Sequence, residues 1–195
     1  MRSSDLLIWW PKNVRHAASL EPLEGFEDTF DLLDGVPCAK RFPDDALFRM
    51  DPELPDDTLL TDNLVNKDRL LVVSEKMKGL LERLKIKKVE YLPVAILDHR
   101  DRPVREKYFI AHPVDPVDAL DVDASDVEWS LIDDSLIDDV GTLVLDEEQL
   151  DPKRQLFRLK SFSRLILVHR AVAEAIDKEG LTGVRWVELS DYPEG

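Results

Sequence analysis

The chain has 195 residues and is poor in cysteine, in glycine and in long apolar runs, and each shortage excludes a class of protein. Cys38 is the only cysteine, which rules out an internal disulfide and a thiolate metal cluster and favours a reducing compartment. Seven glycines leave little scope for loops that enclose a cofactor. The apolar run at residues 6–10 is too short for a signal-peptide core or a membrane span. We therefore expect a cytoplasmic protein without a membrane segment or a cofactor.

The sequence motifs of the common catalytic sites are missing as well. The chain has no phosphate-binding GxxxxGKS or GxxxxGKT, no GxGxxG, no HExxH and no GxSxG. The four histidines lie apart, at His16, His99, His112 and His169. The HRDRP segment around His99 is more typical of a polar turn than of an acid/base pair. Cys38 would be a reactive thiol only if Lys40 lowered its pKa, and a small buried side chain is the favoured interpretation.

Positive charge is absent from one long segment, residues 108–152, which we call the acidic segment. It holds no Lys or Arg and 14 acids, namely Asp115, Asp118, Asp121, Asp123, Asp126, Glu128, Asp133, Asp134, Asp138, Asp139, Asp146, Glu147, Glu148 and Asp151. Its formal charge is therefore −14, and that of the whole chain is −15. The acidity of the protein belongs almost entirely to this segment.

Apolar residues alternate with these acids, so we expect the acidic segment to be folded rather than disordered. A solvated face that keeps the protein soluble is the favoured interpretation, and a docking surface for a basic partner is the alternative. Nucleic acid is excluded as a direct ligand of this face because its phosphates would be repelled. If the segment docks, the predicted contact residues are Asp133, Asp134, Asp138, Asp139 and Trp129.

A calcium loop is a further possibility within the acidic segment. Asp121, Asp123 and Ser125 occupy the first, third and fifth positions of such a loop. The sixth position requires a glycine and holds Asp126, and the twelfth requires a bidentate glutamate and holds Ile132. The pattern therefore favours surface carboxylates, and we predict no metal site.

An internal repeat is the most informative feature of the sequence. Residues 70–94 read LLVVSEKMKGLLERLKIKKVEYLPV, and residues 165–189 read LILVHRAVAEAIDKEGLTGVRWVEL, which aligns without a gap. Leu81 matches Ile176, and Tyr91 matches Trp186. Because the copies agree in apolar size more than in identity, the pattern predicts one packing unit present twice.

Each copy changes its hydrophobic period, which identifies the unit. Residues 70–73 form a short apolar run, typical of a strand buried on both faces. Four apolar residues then follow a helical period, at Met77, Leu80, Leu81 and Leu84. Ser74 is placed to cap this helix, and Gly180 follows the helix of the second copy. Residues 89–94 and 184–189 read as strands. The unit is therefore strand, helix, strand, with a right-handed crossover if its strands are adjacent and parallel.

The expected fold is a single α+β domain over residues 1–195, with a mixed sheet and a pseudo-duplicated core formed by the two similar strand-helix-strand units. Residues 1–54 are expected to be a less regular N-terminal part. Prolines are frequent between residues 11 and 64, which disfavours long helices except around residues 23–33. Trp9 and Trp10 are adjacent, so in a strand they would point to opposite faces.

From Pro55 onward the chain resembles the immunity-protein family of bacterial polymorphic toxin systems, first described from a myxobacterial protein and long catalogued as a domain of unknown function. The matching segments are PDDTLLTDNLV leading into LLVVSEKMKGLLERL, VEYLPV, HPVDPVDALDVDAS, LVLDEEQLDPKRQLFRLKSF and LILVHRAVAEAIDKEGLTGVRWVEL, in this order. The family pattern has a serine at the start of both repeat helices, where this chain has Ser74 and then His169. The departure concerns the helix cap and leaves the implied fold unchanged.

The resemblance implies a non-catalytic antitoxin in the cytoplasm that binds and neutralises a protein toxin, and the acidic segment then implies a toxin with a basic surface. Two other classes stay open. An adaptor or scaffold would use the duplicated unit as a binding module, and a small hydrolase would combine Asp133 and Asp134 with His112 or His99. The oligomeric state is not indicated by the sequence.

Overall fold

The protein is described by a computed structural model that covers residues 1–131 and 136–193. The strands are β1 (Leu6–Pro11), β2 (Ser19–Leu20), β3 (Leu47–Arg49), β4 (Asn63–Asn66), β5 (Val72–Ser74), β6 (Val89–Leu97), β7 (Tyr108–Pro113), β8 (Asp126–Trp129), β9 (Ile137–Thr142), β10 (Leu156–Arg158), β11 (Ile166–His169) and β12 (Val184–Glu188). The α-helices are α1 (Thr29–Leu33), α2 (Glu75–Arg83) and α3 (Arg170–Lys178). Within these described residues, no helix has the length and apolar character needed to cross a membrane.

The strands form two large sheets and one hairpin. The six-stranded sheet has the order β2-β4-β5-β7-β6-β3. The outer strand β2 is parallel to its neighbour β4, the outer strand β3 is parallel to its neighbour β6, and the inner pairs are antiparallel. The four-stranded sheet, β10-β11-β1-β12, is antiparallel throughout. Strands β8 and β9 form a separate two-stranded hairpin. Mixed sheets with few helices fit the expected α+β class, with a predominance of β structure.

Both repeat segments form a strand, a helix and a second strand, but the two strands of a unit are not neighbours. Strand β7 lies between β5 and β6, and β1 lies between β11 and β12, each antiparallel to both. The register is the same in both cases, since Val89 pairs with Pro113 and Val184 pairs with Pro11. The adjacent crossover considered from the sequence is therefore not formed. Duplication of the core stays a prediction.

The two unit helices begin in the same way with different side chains. The Ser74 hydroxyl accepts a hydrogen bond from the Met77 N–H at 3.2 Å, as the sequence predicts. At the equivalent position, Nδ1 of His169 accepts from the Ala171 N–H at 3.2 Å. Both side chains satisfy a backbone donor that the helix itself leaves unpaired.

The two unit helices also end alike. Lys85 (φ 57°) and Gly180 (φ 67°) are left-handed residues at equivalent positions, and Lys88 (φ 60°) and Gly183 (φ 87°) form a second equivalent pair. The sequence predicts the role of Gly180 and gives no sign of the two lysines, because left-handed backbone is uncommon outside glycine. The predicted apolar stripe of this helix is wrong at Leu84, which follows the last residue of α2 and is 36% exposed.

Buried apolar side chains form three clusters that the sheets separate. The central cluster receives side chains from both large sheets and from α2 and α3, and Leu81 and Ile176 are fully buried in it. A second cluster contains much of the N-terminal third and one face of the six-stranded sheet. The third lies between the four-stranded sheet and the acidic segment. Strand β1 therefore has a buried side chain on each face at successive positions.

The N-terminal third contributes more to the architecture than its proline content indicates. Strand β1 is an inner strand of the four-stranded sheet, whereas the helix around residues 23–33 is only the five residues of α1. Trp9 and Trp10 point to opposite faces, as expected for adjacent strand residues. Trp9 joins the central cluster and is 5% exposed, and Trp10 packs near Tyr192 with ring centroids 6.2 Å apart.

Candidate functional site

The described part of the acidic segment is folded, and many of its apolar side chains lie inside the protein. Ala119, Ile137 and Val140 are buried against residues of the four-stranded sheet, including Leu6 and Leu167. This confirms the expectation that alternation of acids with apolar residues produces structure instead of a disordered tail. The acids are consequently displayed on the outer side of a fixed framework.

Strands β8 and β9, which we call with their connection the acidic hairpin, carry the most concentrated charge. Ile137 and Val140 are three residues apart in β9, and both point inward. Two register shifts in the pairing of β8 with β9 accompany this departure from strict alternation. The residues that face solvent include Asp126, Glu128, Asp138 and Asp139. Glu128 pairs directly with Asp139 across the two strands. Like charges in directly opposite positions destabilise a sheet, so this arrangement does not serve stability.

The hairpin carboxylates differ from Asp115 and Asp118, two acids of the segment that form ion pairs. In the part of the chain that the structure describes, none of the four hairpin carboxylates lies within ion-pair distance of a basic group. Lys88, by contrast, lies 2.5 Å from Asp115, and Lys160 lies 3.4 Å from Asp118. The hydrogen bond from Lys88 lowers the pKa of Asp115. The hairpin therefore presents four exposed carboxylates whose charge is not compensated by an ion pair.

Two large apolar side chains are exposed next to these carboxylates. Trp129, at the end of β8, is 44% exposed, and Leu131 is fully exposed. Tryptophan is enriched among the residues that dominate protein–protein binding energies, because its large surface is removed from water on contact. Leu131 was not singled out from the sequence, since a lone leucine in an alternating pattern usually marks an inward position.

The residues predicted as contacts fall into two groups. Trp129, Asp138 and Asp139 lie on the same hairpin and are exposed. Asp133 and Asp134 lie outside the described residues. Trp9, in contrast to Trp129, is buried against Trp186 in an edge-to-face contact with ring centroids 5.2 Å apart. It cannot contact a partner directly.

Residues considered for chemical roles are engaged in local structure. Asp121 accepts a hydrogen bond from the Ala124 N–H at 3.0 Å, and no group of three or more His, Cys, Asp or Glu among residues 1–131 and 136–193 is arranged to hold a metal ion. His112 is buried and bonds the Val36 carbonyl through Nε2 at 2.8 Å. Cys38 is buried, and burial raises the pKa of its thiol, which opposes the reactive-thiol interpretation.

The HRDRP segment forms the turn that the sequence predicts. Asp98 closes it by accepting hydrogen bonds from the backbone N–H groups of Arg100, at 2.8 Å, and Arg102, at 3.0 Å. The Arg102 side chain also bonds this carboxylate and holds the pKa of Asp98 at about 2. His99 bonds the Asp51 carbonyl at 3.1 Å. The turn is thus stabilised by its own side chains.

Comparison with known proteins assigns the chain to a family. No curated protein matches it. The sequence model described as Immunity protein family (Imm11) matches residues 11–191, which extends the resemblance seen from Pro55 through most of the N-terminal third. The match includes both repeat segments, the inserted β7 and the acidic hairpin. The chain belongs to the Immunity protein family (Imm11).

Proposed function

We propose that the protein is a cytoplasmic antitoxin that binds a cognate protein toxin through the acidic hairpin and neutralises it without catalysis. Family membership supports the antitoxin role. The choice of surface rests on one observation. Exposed carboxylates without basic partners lie on β8 and β9, and the exposed Trp129 lies beside them. Charge of one sign and an exposed aromatic side chain are complementary features of a protein-binding surface.

The two features act at different stages of binding. The carboxylates raise the association rate with a basic toxin, because their field extends about 8 Å into a solution of physiological ionic strength. Trp129 and Leu131 then lose contact with water in the complex, which slows dissociation. A toxin that acts on phosphate-containing substrates has a basic cleft, and the hairpin carboxylates would occupy it in place of the phosphates. Covering the cleft is sufficient for inhibition.

The test compares two variants that remove the same charge from different places. The hairpin variant combines Glu128→Gln, Asp138→Asn and Asp139→Asn. The control variant changes three exposed acids of the N-terminal half, combining Glu27→Gln, Glu53→Gln and Asp56→Asn. Association with the purified toxin encoded beside this gene is measured by stopped flow at low and at physiological salt. We expect the hairpin variant to associate about tenfold more slowly at low salt and the control to retain the wild-type rate.

A separate variant, Trp129→Ala, tests the anchor. We expect an unchanged association rate and a dissociation rate at least about tenfold faster, and loss of protection in cells that express the toxin. Equal, salt-insensitive association rates for wild type, hairpin variant and control would contradict the steering role. In that case the hairpin carboxylates would serve solubility, and toxin binding would lie on another surface.

We also infer that the two strand-helix-strand units are copies of one ancestral unit. The inference is supported by the shared pairing register, the equivalent helix caps and the left-handed residues at matching positions. The acidic hairpin belongs to neither unit, since β8 and β9 lie between β7 and β10 in the chain. The binding surface was accordingly added to a duplicated frame.

A further inference from the structure

A cleft lies between the two large sheets, on a part of the molecule that the toxin-binding proposal does not use. We call it the seam cleft. One wall is formed by the end of β1 and the start of β11, and the other by β4 and the residues that lead into β5. Its volume is about 550 Å³. This lies within the range of pockets that bind small molecules, roughly 300–1,000 Å³.

The charge of the seam cleft is opposite to that of the protein. Lys67, Arg69 and Arg164 line it, and the described lining residues include no Asp or Glu, in a chain of net charge −15. Lys67 is neutralised by two carboxylates, those of Glu21 at 2.5 Å and Asp51 at 3.3 Å. Arg69 and Arg164 have no carboxylate within ion-pair distance among the described residues, and the Arg164 guanidinium lies 5.2 Å from the ring centroid of Phe162. The two arginines therefore supply most of the positive field.

The two arginines lie on different walls of the cleft, Arg69 beside the start of β5 and Arg164 beside the start of β11, and Tyr192 also lines it. An anion bound between the two walls would interact with both guanidinium groups.

The loop that carries Arg69 is held in an unusual conformation. Arg69 has φ 56°, a left-handed backbone that is uncommon for a residue other than glycine. The buried amide of Asn66 fixes the loop, because it donates to the Leu70 carbonyl at 2.7 Å and accepts from the Leu70 N–H at 2.9 Å. Strained residues that their surroundings hold in place are concentrated at binding sites.

The remaining wall is aromatic. The rings of Trp10 and Tyr192 have centroids 6.2 Å apart and are tilted by 58°. Trp10 is half-buried, and the Arg185 guanidinium lies 5.7 Å from the centroid of its ring. Aromatic faces favour stacking with a flat ring, and nucleic-acid bases are bound in this way in many proteins. The site therefore combines positive charge with an aromatic wall.

We propose that the seam cleft binds a nucleoside phosphate, with the phosphates at Arg69 and Arg164 and the base against Trp10. Guanidinium groups match phosphate oxygens in geometry as well as in charge. This proposal is independent of toxin binding by the acidic hairpin.

Isothermal titration of the full chain with ADP tests the proposal, since ADP carries both the charge and the ring. We expect saturable binding at one site, at least tenfold tighter than that of adenosine or of inorganic pyrophosphate, each of which offers half of the chemistry. Absence of heat with millimolar ADP would contradict the proposal. Pyrophosphate binding as tightly as ADP would contradict the assignment of a ring site.

Variants locate the binding to the cleft. Arg69→Asn removes the charge and keeps a residue that tolerates left-handed backbone, and Arg164→Gln removes the second charge. We expect each to weaken ADP binding at least tenfold, while Lys87→Gln, an exposed cation that does not line the cleft, leaves it unchanged. Unchanged affinity in both arginine variants would overturn the proposal. Tighter binding of hexaglutamate than of ADP would also overturn it, by assigning the cleft to an acidic peptide.

Discussion

The two strand-helix-strand units reach the same backbone conformation with different residues. The helix cap is a serine in the first unit and a histidine in the second, and the left-handed positions are Lys85 and Lys88 against Gly180 and Gly183. The last hydrogen bonds of the helix are also equivalent in the two units. Backbone conformation is thus preserved where side-chain chemistry is not. What the units share is a set of apolar positions and a set of satisfied backbone groups.

One difference between the units has a structural cause. A Cβ atom on Gly183 would lie 2.2 Å from the Asn63 carbonyl oxygen and 2.8 Å from Oγ1 of Thr61. The loop that precedes β12 therefore packs directly against strand β4 of the six-stranded sheet. Lys88, at the equivalent position, directs its side chain outward to Asp115. The glycine is therefore required by the close contact of this loop with β4, and not only by φ.

The largest predicted effect tests this contact. Gly183→Ala is expected to lower the free energy of unfolding by about 4 kcal/mol or more, because backbone atoms of β4 must move and the left-handed φ is strained as well. Lys88→Ala, which changes the equivalent residue of the first unit, should change it by less than about 1 kcal/mol. Urea denaturation of both variants measures the difference. Equal effects would show that the contact does not distinguish the units.

The next effect tests the shared core. Leu81→Ala and Ile176→Ala occupy equivalent, fully buried positions in the central cluster, and each is expected to cost about 2–5 kcal/mol in unfolding free energy. If the two units form one cooperative structure, each variant should unfold in a single transition by circular dichroism and by tryptophan fluorescence. Two separate transitions in either variant would indicate that the units unfold independently.

A smaller loss of unfolding free energy is expected when either helix cap is removed. Ser74→Ala removes the hydrogen bond from Met77 and also the bond that the serine hydroxyl donates to Asp62 at 2.7 Å, so we expect a loss of about 1–2 kcal/mol. His169→Ala removes one bond, and about 0.5 kcal/mol is expected. Thermal unfolding of the two variants shows which of them loses more stability. A larger loss at His169 would mean that its ring is needed for packing.

The smallest effect compares the helix ends. Lys85→Gly relieves left-handed strain and is expected to stabilise the protein by about 0.5–1 kcal/mol, after the greater flexibility of glycine in the unfolded chain is included. Gly180→Ala introduces the same strain at the equivalent site, where a Cβ meets no atom within 4 Å, and should destabilise by a similar amount. Opposite signs in denaturant midpoints are the expected result. Destabilisation by Lys85→Gly would show that the lysine side chain contributes to the native state.

Sequence reasoning succeeded where a local pattern determines structure. The strand expected at residues 70–73 is present at Val72–Ser74, with Leu70 and Leu71 before it. This strand, the helix with Leu81 on its buried side and the cap at Ser74 each follow from periodicity or from a backbone donor that needs a partner. It did not reveal that β1 and β7 are inserted between the strands of the units, because pairing between distant segments leaves no periodic signal. Which strands become neighbours depends on the whole chain.

The sequence predicts one of the two candidate sites and not the other. Fourteen acids in a segment without Lys or Arg are conspicuous in the sequence, and three of the five predicted contacts lie on the exposed surface of one hairpin. The seam cleft left no such trace, because Arg69 and Arg164 are 95 residues apart and each is an ordinary isolated arginine in sequence. Only the fold brings them to the same cleft.

The position of β1 has a consequence for how the protein is made. Translation produces β1 before both of its neighbours, β11 and β12, which belong to residues 166–188. At about 5–20 residues per second, the roughly 150 residues between β1 and β11 take roughly 8–30 s to translate, and β1 has no native neighbour during that time. The first unit can form during translation with β7. The four-stranded sheet is therefore completed only after the second unit has emerged and paired with β1.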